Sequence, residues 1–155
     1  MGIENLKGLM DGLDPAALMP DLTTMIGKVE LVLRIAVVLG PVVLLAMGLL
    51  YFFLPPKEAN HYFGYRCFFG MGSLDAWRFT QRLAGLIFGA LGLGLTVIMG
   101  LISLSFGGKE IMDMLWLAVK CMVWEAVLVG ISCLFINIAA ALRFDAKGER
   151  RKIEN

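Results

Sequence analysis

Side chains able to do chemistry are scarce in this sequence, and they gather in two places. The first is a polar stretch, Asn60-His61-Tyr62-Phe63-Gly64-Tyr65-Arg66, which continues through Ser73, Asp75 and Trp77 to Arg82. Aromatic, basic and hydrogen-bonding groups at this density suit recognition of a partner, with rings supplying contact area and arginine reading a phosphate or carboxylate. No Ser/His/Asp set, HExxH pair or carboxylate dyad accompanies them, and His61 has no companion ligands for a metal. The expectation is a protein that is not an enzyme and carries no cofactor or metal.

The second place is inside apolar runs, where Arg34, Lys120 and Glu125 stand. An ionisable group within a bilayer costs at least ~2.5 kcal/mol on insertion scales, so it faces other helices and finds a partner. Glu30 and Arg34 are one helical turn apart and can pair. Lys120 and Glu125, five residues apart, point about 140° away from each other, while Trp116 and Trp124 flank Lys120 at one turn on either side. Two readings stay open. One is an Arg34–Glu125 or Lys120–Glu125 network serving a ligand or a proton. The other is a clamp that sets helix register, with Lys120 snorkelling outward.

The elements that must position these groups are membrane helices. The chain has 155 residues, is 59% hydrophobic and only 17% charged, and its mean hydropathy is +0.78. A soluble domain of that composition would expose more apolar surface than water tolerates. The spacing predicts three spans, at about 29–54, 83–106 and 114–142, joined by a connector over 55–82. From Ile35 to Leu54 there are 20 residues without a charge, and from Leu83 to Phe106 there are 24; about 20 are needed to cross the hydrocarbon. Gly40-Pro41 interrupts the first span and should kink it. Gly85, Gly89 and Gly92 share one face of the second span, a pattern that admits another helix closely and would serve a homo-oligomer.

The connector itself reads as re-entrant or interfacial. Phe63 to Phe69 is too aromatic for a solvated loop, Gly70-Met71-Gly72 forms a turn, and Ser73 caps a helix that carries Trp77 into the second span. Residues 1–27 form an amphipathic N-terminal segment, with Ile3, Leu6, Leu9, Met10 and Leu13 on one face; it lies on the membrane or caps the bundle. Asp14-Pro15 and Pro20-Asp21 interrupt it, and a second short helix starts at Pro15 or Asp21. The fold class is therefore an all-α membrane protein of three spans.

Orientation follows from the basic residues. Lys7, Lys28 and Lys109 flank one side, whereas Lys57, Arg66, Arg78, Arg82, Arg143, Lys147, Arg150, Arg151 and Lys152 flank the other. Positive residues stay in the cytoplasm, so the N-terminus is expected outside and the connector and C-terminus inside. Cys67 then sits on the reducing side. Cys121 and Cys133 are about 18 Å apart along one helix and cannot bond to each other within it. A net charge of +1 excludes a global field for nucleic acid.

The run Asn60-x-x-x-Gly64-Tyr65-Arg66, then Ser73-x-x-x-Trp77, Ala84-Gly85 and Gly89, resembles the signature of the SdpI family. Cys67 stands where that pattern usually has Thr, and Gly72-Ser73-Leu74 replaces a more polar turn. The resemblance implies a multi-pass protein of the bacterial cell membrane. It also implies immunity to a membrane-active secreted peptide toxin, by binding the toxin or shielding its target. The family's namesake also captures a transcriptional repressor, so the alternative is a signalling or scaffold module whose connector docks a soluble protein. The residues expected to carry either role are Asn60, Tyr62, Gly64, Tyr65, Arg66, Ser73 and Trp77. A third reading of the same residues is that they only fold the connector.

Overall fold

The structure, a computed structural model, describes residues 15–57 and 63–151. Within them the chain forms three long helices: α1 (Pro15–Phe53), α2 (Leu74–Leu104) and α3 (Ile111–Arg143). A single 3₁₀ turn, Phe69–Met71, lies between the first two. No strand occurs among the described residues beyond one isolated bridge, Phe144 with Arg150. Thr23–Phe53, α2 and α3 are each long and apolar enough to cross a membrane, at 31, 31 and 33 residues. At 1.5 Å per residue such helices exceed the ~30 Å hydrocarbon thickness, so their ends stand among the headgroups. The amphipathic stretch over residues 3–13 lies outside the described residues.

α1 differs from expectation at its start. Pro15 occupies the first helical position, where its missing N–H costs nothing. Pro20 forfeits one bond a turn later, and the helix passes through it, so residues 15–27 belong to the first helix rather than to a separate one. The helix also continues through Gly40-Pro41, with Pro41 fully buried.

α1 and α2 form the tightest pair, and glycine is the reason. A Cβ at Gly48 would lie 2.2 Å from the Gly89 backbone, one at Gly92 2.4 Å from Leu45 N, and one at Gly85 2.6 Å from Phe52 N. Steps up one helix match steps down the other, which makes the pair antiparallel. The Gly85/Gly89/Gly92 face is thus filled by α1 of the same chain. That corrects its expected use by a second copy: small residues invite a helix, and the helix joined by the connector reaches them first.

Two buried clusters sit at opposite ends. Val37, Leu95, Met99, Phe106, Met114, Ala118 and Cys121 pack towards the α2–α3 turn. Tyr51, Ala84, Phe88 and Ile136 pack towards the connector. Outward faces carry exposed apolar residues such as Leu39, Leu93, Leu101, Ile131 and Leu142. In water this surface would aggregate, and in lipid it costs nothing.

Candidate functional site

Ser73 starts α2 by accepting a hydrogen bond from Ala76 N at 3.1 Å, with Asp75 in the first turn where the helix dipole favours it. That start places Trp77, Thr80, Gln81, Ala84 and Gly85 in a row facing inward, all buried. The connector folds down onto this row. Gly64, at φ +120°, packs against the Trp77 ring, where a Cβ would lie 2.7 Å from the nearest ring atom. Only glycine fits that dihedral and that gap together. Trp77 is fully buried and its indole N–H donates to the Pro56 carbonyl at 2.9 Å. It holds the end of α1 to the start of α2 rather than floating as an interfacial anchor.

Gln81 pairs with the connector backbone in both directions. Tyr65 N donates to Gln81 Oε1 at 2.8 Å, and Gln81 Nε2 donates to the Tyr65 carbonyl at 2.7 Å. The Tyr65 ring packs edge-on against Phe88, and its hydroxyl donates to the Cys133 carbonyl of α3 at 3.1 Å while accepting from Asn137 Nδ2 at 3.3 Å. Tyr65 thereby ties connector, α2 and α3 together. Burial, reinforced by the neighbouring Cys133 and Cys67 thiols, pushes its phenol well above the ordinary value. Burial likewise pushes the Cys67 thiol up, although its sulfur accepts from Gly70 N at 3.2 Å. Both groups stay protonated at neutral pH. Arg66 lies on the exposed side of the connector, within electrostatic range of the Tyr51 hydroxyl. Asn60, His61 and Tyr62 lie outside the described residues.

The C-terminal end closes the same region. After α3 the chain turns back, with Asp145 Oδ1 accepting from Lys147 N and Glu149 N at 2.9 and 2.8 Å. Gly148 then meets the start of α2: Ser73 Oγ donates to its carbonyl at 2.6 Å, and a Cβ on Gly148 would lie 2.4 Å from Ser73 N. Arg150 pairs with Asp75 at 3.1 Å. Sequence reasoning missed Gln81 and Gly148. Asp145-x-x-Gly148 was the available signal for the turn; a glutamine eight residues past a helix cap carries none.

The intramembrane charges do not assemble as a network. Arg34 donates to Glu30 through Nε at 3.0 Å, beside Gly107 at the far end of the bundle. This corrects the Arg34–Glu125 pairing, because the partner one turn back is nearer than one on another helix. Lys120 is exposed and makes no ion pair or ring contact among the described residues, with Glu125 or with Trp116 and Trp124. Glu125 is left alone beside Gly40, where a Cβ would lie 2.9 Å from its Oε2. Its Oε1 is buried without a hydrogen-bond partner among the described residues. The carboxyl lines a cavity of about 810 Å³ between α1 and α3, walled by Pro41, Leu44, Met47, Leu95 and Val129. Leu39, Val43 and Met122, about half exposed, form its rim on the lipid side.

Of the residues that carry the signature-like pattern, Gly64, Tyr65, Ser73 and Trp77 help to lock the connector and the helix ends together. Residues 57–141, more than half of the chain, match the SdpI/YfhL protein family. The chain belongs to that family. Comparison with curated proteins and with solved structures gives no match. The matched region of this SdpI-family protein runs from just past the end of α1 almost to the end of α3; it takes in Gly64, Tyr65, Trp77, Gln81 and Glu125, whereas the α1 wall of the Glu125 cavity lies before it.

Proposed function

We propose that this protein is a non-enzymatic immunity factor that protects a bacterial cell membrane from a membrane-active secreted peptide. Membership of the SdpI/YfhL family is the observation that carries the reading. The Glu125 cavity supplies a physical seat for it. A peptide that acts within the bilayer meets an apolar, laterally open pocket whose buried acceptor lacks a partner among the described residues. An N–H from the peptide would satisfy that acceptor, and an unmet buried acceptor costs about 1–3 kcal/mol. The connector lock then acts from outside the pocket, holding α1 and α3 in place.

A sensitive bacterium expressing the protein, challenged with the secreted peptides of the source strain, tests this. Survival is expected with the native chain. It is expected to be lost with Ala126→Phe, which fills the cavity, at equal expression. Survival of the Ala126→Phe strain would remove the cavity from the mechanism, and no protection against any peptide would sink immunity itself.

A second reading, docking of a soluble protein on the connector, draws on Arg66 and Phe68. Both are on its exposed face, Phe68 at 75%. A soluble partner that co-purifies with the native protein and disappears with Arg66→Ala would favour it.

A further inference from the structure

Neither the connector lock nor the Glu125 cavity uses the arginines at the connector end. Arg78 and Arg82 from α2, Arg143 from the last turn of α3 and Arg150 from the returning C-terminal loop line one cavity of about 510 Å³. Among the described residues Asp75 is the only carboxylate in its lining, and it is engaged by Arg150 at 3.1 Å. Arg143 stacks on the Phe79 ring, 4.6 Å from the centroid, a contact that occupies one face of the guanidinium and leaves its edge donors. Arg78 and Arg82, one turn apart on the same face of α2, have no ion-pair or hydrogen-bond partner among the described residues. The cavity therefore holds a net excess of cationic donors that the described residues do not neutralise.

The opposite wall is apolar and deeper. Leu86 lies one turn further into α2 than Arg82, and Phe52 lies in the last turn of α1; both are exposed, at 58% and 46%. Guanidiniums at headgroup level above an exposed apolar wall match one kind of molecule, an anionic amphiphile. Interfacial arginines on their own are ordinary in membrane proteins. Here they come from three separate elements, and one is delivered only because Ser73 and the Asp145 turn pull the C-terminal loop back.

We propose that this cavity binds an anionic phospholipid, with its phosphate among Arg78, Arg82 and Arg143 and an acyl chain along Phe52 and Leu86. Arginine forks match phosphate geometry and its donors are fixed in plane. A zwitterionic headgroup fits poorly, because its own cation would enter a pocket already rich in positive charge. The lipid also fastens the ends of all three helices at one point. The site is independent of the toxin reading and of the cavity that reading uses.

Native mass spectrometry of the full chain in detergent, offered equal amounts of phosphatidylglycerol and phosphatidylcholine, tests the proposal. Retention of phosphatidylglycerol over phosphatidylcholine is expected for the native protein. Arg78→Gln with Arg82→Gln should weaken phosphatidylglycerol binding roughly thirtyfold, while Arg78→Lys with Arg82→Lys keeps most of the preference. Circular dichroism of each variant checks that the helices persist. Equal retention of the two lipids by the native chain overturns the proposal without reference to any variant. So does an unchanged preference in the double glutamine variant. Displacement of the lipid by millimolar inorganic phosphate would instead assign the site to a soluble anion, with the apolar wall unused, and that also overturns it.

Discussion

Gln81 and Glu125 are both polar side chains buried in apolar surroundings, and they stand in opposite condition. Gln81 is fully buried and uses its oxygen and one amide hydrogen on the Tyr65 backbone. Glu125 leaves an oxygen without a partner among the described residues. A buried polar group in native structure is normally satisfied; the first holds the fold, and the second is the acceptor that the proposed peptide capture would use. Gln81→Leu tests the first statement. It strands a backbone N–H and a backbone C=O, each costing about 1–3 kcal/mol. The protein is expected to unfold in detergent with about 2–4 kcal/mol less stability. A melting profile equal to the native one would show that the connector is held by Trp77 and Gly64 without this pairing.

At the scale of helices, the α1–α2 contact rests on absent side chains. Gly92→Val would place a Cβ 2.4 Å from Leu45 N, against backbone that has no rotamer to yield. Overpacking of this kind costs about 1–3 kcal/mol or more, and the pair must spread. Gly94→Ala, on the same helix with nothing within 4 Å of the added atom, is expected to leave thermal unfolding unchanged or slightly delayed. Equal damage from the two would mean that helix geometry, not the α1 contact, sets the cost. The three spans, the Ser73 cap and the Glu30–Arg34 pair were legible because each depends on residues within one or two turns. The partner of the glycine face was not, since spacing announces a close neighbour without saying which one. Tyr65 with Gln81, sixteen residues apart, and Ser73 with Gly148, seventy-five apart, were equally hidden. Such contacts exist only once the helices have been placed. The signature residues Gly64, Tyr65, Ser73 and Trp77 pack or hydrogen-bond onto the fold.

For the whole molecule, the connector, the start of α2 and the end of α3 share one membrane face, and Lys109 marks the other. By the excess of basic residues, nine against three, the connector face is expected in the cytoplasm. Lys109→Cys and, separately, Arg151→Cys can be treated on intact cells with a membrane-impermeant thiol reagent. Cys67 and Cys121 are buried and Cys133 is partly buried, so the native chain serves as the blank. Lys109→Cys is expected to react at once, and Arg151→Cys only after the cells are opened. The result decides more than topology. With the connector inside, the arginine cavity meets the leaflet whose surface potential is negative, and a soluble cytoplasmic protein can reach Arg66. The reverse labelling would put Arg66 and the arginine cavity outside, where no cytoplasmic partner can dock. The docking reading would fall, whereas capture of a peptide at Glu125 would survive, because that cavity opens sideways into the bilayer and is reachable from either face.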